Sequence, residues 1–436
     1  MPIHWSGAII GLVIAIILIF KKLNPVYALF TGAILGGLIG GASLSDTTQI
    51  VINGTTSVMG AVVRVLAAGV LAGILIESGA AEKIAETIVE KLGEKKAILA
   101  IALATMVITA VGVFITVSII IVAPIALSIA KKARLTRSSI LLAMIGGGKA
   151  GNIISPNPNT IAVAKGFNVD LAQVMINGFI PAIIGVIITY FVATLLNKKG
   201  QALRESELEI AATLSKEDLK LNDDKPSFAK AMVAPVVAIT LLAISPIGSM
   251  LNIEVLKNFS IDSMIILPFA GIVGLVVMGK ANKLIEYTTS GLNKMTGTAI
   301  LLIGAGAIAG IISNSNLSEV VVNLIQSTGI SGVFLAPISG ILMGAATAST
   351  STGSIVAAGS FGDAILAMGT EPLNAAIMVH TGAIVLDHLP HGNFFLVTAD
   401  SVKMNIKERM SLIKYESIIG GSMAIIATLV YGFILK

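Results

Sequence analysis

The sequence predicts an all-α polytopic membrane protein of two inverted-topology repeats, with about ten transmembrane helices, two re-entrant hairpins and broken helices at the centre. Three observations predict it. Hydrophobic residues make up 55% of the chain and charged ones only 12%, against about 25% charged in soluble domains. Apolar runs at 61–76, 264–278 and 418–435 approach the roughly 20 residues that a helix needs to cross about 30 Å of hydrocarbon. Broken, polar segments of the second half also fall in register on those of the first.

The apolar runs are continuous, without the alternation that a barrel wall requires, so the spans are helices and not strands. The first run, 5–20, is followed by Lys21, Lys22, Asn24 and Pro25 with no small-residue cleavage site, and reads as a retained span of a multi-pass protein of the inner (cytoplasmic) membrane. With no cysteine, disulfides, thiolate metal sites and cysteine nucleophiles are excluded. The net charge of +5 follows from lysine and arginine anchoring loops at the cytoplasmic leaflet of the bilayer, and no nucleic-acid partner is needed to explain it.

A polar stretch at 197–228 divides the chain into a first repeat, 1–196, and a second, 229–436. Moving the second half back by 236 positions superposes Gly329 on Gly93, Thr352 on Thr116, Ser354 on Ser118, Gly382 on Gly146 and Asn393 on Asn157. Basic residues set the orientation, because lysine- and arginine-rich loops stay in the cytoplasm. In the first half they gather at Lys83, Lys91, Lys95, Lys96 and again at Lys131, Lys132, Arg134, Arg137, whereas the matching second-half stretches have none. Conversely, Lys403, Lys407, Arg409 and Lys414 face a counterpart holding a single lysine. The halves are therefore inverted.

Inversion requires an odd number of crossings per half. The run at 97–130 lies between basic clusters on one side, so it enters and returns as a hairpin with its tip near 112–118; its mate is 331–368, with its tip near 347–354. Segment 81–92 carries Ile84, Ile88, Val89 and Leu92 on one face and Glu82, Lys83, Glu86 and Glu90 on the other, the pattern of a helix lying along the membrane surface.

Irregular backbone survives in a bilayer only where it lines a wet or protein-walled cavity. Segment 146–160 holds three successive glycines, Lys149, Asn152, Ser155, Pro156, Asn157, Pro158, Asn159 and Thr160, and is expected to break a helix over about 138–163. Its mate breaks a helix over about 374–399 with Asp387, His388, Pro390, His391, Gly392 and Asn393. The hairpin tips add Thr116 and Ser118 on one side, and Ser349, Thr350, Ser351, Thr352 and Ser354 on the other. Half-helix N-termini with neutral hydroxyl and amide donors suit a small organic anion. Small residues in hairpins also serve close helix packing, a reading of equal weight for Thr116 or Ser118 alone. Lys149 either faces a substrate carboxylate or is buried as the partner of Glu77 or Asp387. Three of the four histidines, His380, His388 and His391, fall within twelve positions; zinc is the lesser reading, and Asp387, His388 and His391 are candidates for carrying a coupling proton.

At these residues the chain resembles the gluconate permease (gluconate:proton symporter) family, over nearly its whole length. The stretch from Ile74 to Thr87 followed by Leu92-Gly93-Glu94-Lys95-Lys96 is similar to that family's segment after its third span. Pro156-Asn157-Pro158-Asn159-Thr160-Ile161-Ala162 resembles its PHPGPTA motif, and 387–396 its SHVNDPGFWL motif. The family's FYEVG hairpin motif reads Phe114-Ile115-Thr116-Val117-Ser118 without the glutamate, the motif histidine is Asn157, and the acidic residue stands before the second-half histidine, as Asp387. The resemblance implies a dimeric secondary active transporter that imports a gluconate-like sugar acid or other hydroxy acid by proton symport, with elevator-type alternating access and no cofactor. A sodium-coupled carboxylate carrier or a cation/proton antiporter of the same architecture is the alternative, with sodium held by carbonyls and hydroxyls at the breaks. No GxxxxGK[ST] motif is present, so an ion gradient drives transport. An intramembrane enzyme would need a nucleophile with its base, and Ser155 with His388 is the only arrangement available.

Overall fold

The computed structural model describes residues 3–199, 225–259, 261–328, 331–390 and 392–435. Much of the expected linker therefore lies outside the described residues, as does His391. Regular structure among the described residues is helical, apart from a single bridge between Ile3 and Ser315.

In the first half, α1 (Trp5–Phe20), α2 (Pro25–Ile39), α3 (Leu44–Ser57) and α4 (Met59–Glu77) precede the surface helix α5 (Ala80–Leu92). A helical pair follows, α6 (Ala97–Ala110) and α7 (Ile115–Ala133), then α8 (Arg137–Ile153), α9 (Pro158–Gly166), α10 (Leu171–Asn177) and α11 (Phe179–Lys199). The second half comprises α12 (Val233–Met250), α13 (Ser263–Val277), α14 (Leu284–Ser313), α15 (Leu317–Thr328), α16 (Leu335–Thr347), α17 (Thr350–Ala367), α18 (Pro372–Ala383), α19 (Asn393–Ser401) and α20 (Ile406–Leu429).

Among the described residues five helical segments are long and apolar enough to cross a membrane, and five more of 10–17 residues are apolar. Exposed Phe191, Ile265, Phe269 and Val276 suit lipid and not water. The third helical stretch of the second half runs through 30 residues as one helix, α14, whereas its counterpart in the first half is divided into α3 and α4. The first half stops at Val58, where the hydroxyls of Thr55, Thr56 and Ser57 turn back to the carbonyls of Ile52 and Gly54 and compete with the helix ladder.

Helices approach closely because glycines face one another. α4 crosses α14 at Gly69, Gly73 and Gly291, where a Cβ on Gly291 would stand 2.0 Å from the Gly69 carbonyl oxygen. α3 meets α14 likewise, a Cβ on Gly54 standing 2.3 Å from the Gly306 carbonyl oxygen. Such contacts replace the hydrophobic drive that lipid does not supply. α1–α4 and α12–α14 thus form one layer, with α14 packed on α2, α3 and α4 and α13 on α4 and α12. The second layer gathers α6–α9, α11 and α16–α20, and meets the first through α4 with α9 and α14 with α17.

α5 buries Ile84 and Val89 and keeps its acidic face for Lys225, which bonds Glu82 at 2.6 Å and Glu86 at 2.7 Å. The far end of the polar stretch is thereby pinned to the surface helix. Where the two layers meet, a cavity of about 310 Å³ opens beside α4, α9, α10 and α12, walled in part by Arg64, Lys165, Asp170 and Asp262. Asp262 caps α13 through the Met264 N–H and is paired with Arg64. Burial works against its charge, but the guanidinium and the amide outweigh it and hold the carboxyl below its ordinary value.

Candidate functional site

The first break is narrower than the sequence suggests. The glycines from Gly146 to Gly151 are helical, inside α8, and only residues 154–157 are irregular. Packing is the physical reason, since a Cβ on Gly147 would lie 2.0 Å from the Ala102 carbonyl oxygen and one on Gly151 2.2 Å from that of Met106. The glycines thus trade intrinsic helix propensity for contact with α6. Pro156 stands in the break, and Pro158 opens α9 at a position that needs no N–H. Asn157 is the N-cap, its Oδ1 accepting from the N–H groups of Asn159 at 2.8 Å and Thr160 at 3.2 Å. The second break, between α18 and α19, holds residues 384–390 and Gly392 among the described residues, and Gly392 lies so close to Ala348 at the tip of the second helical pair that a Cβ would sit 2.6 Å from that residue.

Amides tie the first break together. Asn157 Nδ2 donates to the carbonyl of Asn152 at 2.9 Å and to its Oδ1 at 2.5 Å, Asn159 Nδ2 to the same Oδ1 at 2.8 Å, and Thr160 Oγ1 to the carbonyl at 3.3 Å. From α17, the Ser351 hydroxyl donates to Asn159 Oδ1.

The second break is organised by charge. Lys149 of α8 donates to the Ile384 carbonyl and to Asp387 Oδ1 at 2.5 Å, and lies 3.1 Å from His388 Nδ1. Thr350 donates to the other carboxylate oxygen at 2.6 Å. One hairpin tip therefore touches both breaks, through Ser351 on one and Thr350 on the other.

His388 Nε2 lies 3.1 Å from the Ile413 carbonyl and 3.3 Å from Ser417 Oγ, and its Nδ1 is 3.8 Å from Glu416 Oε2. Glu416 binds Arg409 through both oxygens, and Arg409 also donates to Thr398 Oγ1 at 3.1 Å and stacks 4.7 Å from the Phe395 ring centroid. Lys149, Asp387, His388, Arg409 and Glu416 are all buried. Burial of such charges demands mutual pairing.

Of the expected site residues, Lys149, Asn152, Asn157, Asn159, Thr160, Thr350, Ser351, Asp387 and His388 thus share two adjoining networks. Of the readings of Lys149, the structure has the ion pair with Asp387; Glu77 is taken by Ser290 and Lys294. Ser349 caps α17, accepting from Thr352 N–H at 3.3 Å and its hydroxyl at 3.2 Å. Ser155 and Ser354 are buried with hydroxyls that meet no partner among the described residues, as does Asn152 Nδ2. Ser118 is buried 3.5 Å from the Val113 carbonyl and Thr116 is half-buried, both in the first pair and outside the networks. Asn393 opens α19 with its side chain exposed, also outside them.

Arg409 is a correction. The sequence reading places it in a basic cytoplasmic loop, but its side chain is fully buried within α20. Glu416 and Ser417 were missed altogether. The signal was available, because positions 409 and 416 are seven apart and share one helix face, which puts opposite charges on the same side of an otherwise apolar span.

The model of the GntP family permeases matches residues 3–434. The chain belongs to that family. It is a helical permease of the inner membrane, a transporter and not an enzyme. An uncharacterized transporter of Haemophilus influenzae is 50% identical over 426 residues, 98% of this chain and 97% of that one. The inner membrane permease YgbN of Escherichia coli is 25% identical, with 90% of each chain covered. A high-affinity gluconate transporter of the same organism is 24% identical over 459 residues, covering 99% of each. Among solved structures, the fold is shared with Neisseria gonorrhoeae MtrF, an antimetabolite efflux pump, at TM-score 0.63 and 15% identity over 89% of this chain and 85% of that one. Alcanivorax borkumensis YdaH superposes at TM-score 0.58 and 12% identity over 87% of each chain.

Proposed function

We propose that this permease imports a gluconate-like sugar acid or other small hydroxy acid by proton symport, at a site between the two broken segments. The observation that carries the reading is the convergence of both breaks on one hairpin tip; Asn152 Nδ2 and Ser155 Oγ at the first break and Ser354 Oγ in α17 meet no partner among the described residues. Buried donors without partners cost free energy that a carboxylate or sugar hydroxyl recovers. α19 begins at Gly392 without a side-chain cap, so its first N–H groups are available to an anion. Asp387 and His388 are the candidates for carrying the coupling proton, and the relatives named for gluconate support the substrate class.

The proposal extends to two inverted repeats, 1–196 and 229–436, that serve as a homodimer with elevator motion. Recurrence of the helices supports it: the α6–α7, α8–α9 and α5 bounds return, displaced by about 236 positions, as α16–α17, α18–α19 and α15. With Arg409 buried, Lys403 ahead of α20 and the exposed Lys407 and Lys414 at the start of that helix still give this end the opposite charge bias from its counterpart. Every polar group of the site belongs to the second layer, and that layer meets the first through small residues, as where a Cβ on Gly359 would touch the Ala309 side chain at 2.7 Å. Such a face has few interlocking side chains to hold one layer against the other.

Reconstitution into proteoliposomes tests the function. Labelled gluconate and related hydroxy acids are expected to accumulate under an inward proton gradient and not under a sodium gradient, with a protonophore abolishing uptake. If no such acid moves under either gradient, symport is refuted; accumulation under sodium alone moves the coupling to the alternative ion.

A further inference from the structure

We infer that the Lys149 ammonium is a tethered cation filling a site built from the ligands of a free alkali-metal ion. The inference rests on the reading of the broken segments as the transport centre, and deepens it by assigning what balances charge there.

Nζ is held from several sides and not by a single carboxylate. It meets the Ile384 carbonyl, Asp387 Oδ1 at 2.5 Å and His388 Nδ1 at 3.1 Å. Ile384 is the residue on which α18 ends, so its carbonyl belongs to the negative end of the helix dipole. The Thr350 hydroxyl sits on the remaining carboxylate oxygen, 2.6 Å away. A helix-end carbonyl and a carboxylate are hard oxygen donors of the kind that coordinate sodium in unwound helices, and the Thr350 hydroxyl holds that carboxylate in place.

The ammonium arrives from α8, a helix of the first half, while the carbonyl, the carboxylate and the hydroxyl come from the second. Gly148, next to Lys149 in sequence, packs against Ile115 with a would-be Cβ only 2.6 Å away, so the lysine stem is set by a closely packed helix and not by a mobile loop. Among the described residues no second lysine or arginine is paired with Asp387: Arg409 is consumed by Glu416, and the remaining neighbour is His388, whose Nδ1 lies 3.2 Å from Asp387 and 3.8 Å from Glu416. A lysine in mid-membrane is costly; here its charge makes a mobile cation unnecessary. Removing the ammonium while keeping the carboxylate must then open the site to a cation from solution.

The test uses the whole purified protein without organic acid and follows binding of ²²Na⁺ by scintillation proximity. Wild type is expected to show no saturable sodium binding, whereas Lys149→Ala gains one saturable site per chain. The double variant Lys149→Ala/Asp387→Asn is expected to lose that site. Lys149→Met, which keeps the stem volume, serves where the alanine variant fails to elute as a monodisperse species. Saturable sodium binding by wild type that Asp387→Asn abolishes would overturn the inference, as would a folded Lys149→Met or Lys149→Ala that binds no sodium. Because no acid is present, these results stand apart from the uptake experiment: a protein that moves no hydroxy acid can still display the latent cation site.

Discussion

Removal of Glu416 is the perturbation that most sharply tests the buried charge network. In Glu416→Ala the Arg409 guanidinium loses both carboxylate contacts and keeps only the Thr398 hydroxyl and the Phe395 ring, while remaining wholly buried. Stranding one member of a buried ion pair costs about 3–5 kcal/mol, and His388 loses a carboxylate 3.8 Å from its Nδ1 as well. At about 2 °C per kcal/mol for a large domain, the midpoint falls by on the order of 5–10 °C. The assay is the temperature at which half of the detergent-purified protein still elutes as a monodisperse peak. Its control is Arg409→Met/Glu416→Leu, in which no charge is stranded, and which is expected to regain most of the loss because apolar replacement of a whole buried pair is often neutral. A single variant as stable as wild type, or a double variant that falls as far as the single one, would refute the assignment of both charges to the interior.

Asn157→Ala removes the α9 cap and both bonds to Asn152; about 1 kcal/mol of stability goes with the cap, and uptake of the acid is expected to drop by roughly tenfold or more for misplacing the site. Thr350→Val frees one oxygen of Asp387 without changing volume, and is expected to alter the proton dependence of uptake, read as a shifted pH profile, with expression unchanged. Gly147→Ala forces a Cβ to within 2.0 Å of a backbone carbonyl and is expected to abolish folded protein in membranes, whereas Gly421→Ala, with nothing within 4 Å, is expected to leave yield and stability unaltered; equal yields would show that α6 and α8 are not in contact there. Lys225→Met strips the partner from Glu82 and Glu86 and is expected to change stability by less than about 1 kcal/mol, since such partly exposed pairs contribute little, measured by the same elution assay.

Much of this architecture was legible before any coordinate. Hydrophobic run length identifies membrane helices because lipid offers the backbone no partner, and Pro156, Pro158 and Pro390 locate the breaks because proline cannot donate to the helix ladder. The amphipathic helix α5 followed from its two faces. Glycine was read less well: Gly146 to Gly151 suggested a break, yet in a bilayer glycine costs a helix little when a neighbouring backbone takes the place of a side chain, as Ala102 and Met106 do. Arg409 was misassigned because a charge-counting rule sees only that a residue is basic, and not that Glu416, two turns away, cancels it.

The sequence by itself therefore determined the solvent, the helical class, the family and the two segments within which the helices part. Tertiary structure alone decided which charges meet: that Lys149 of the first half closes on Asp387 of the second, that Thr350 and Ser351 of one tip reach opposite breaks, and that His388 leans on Glu416. The physical reason is range. Helix formation and its interruption are settled by neighbours a few residues apart, whereas Lys149 and Asp387 stand 238 positions apart in sequence, and only the packing of α8 and α18 on α20 within the second layer brings them within a hydrogen bond.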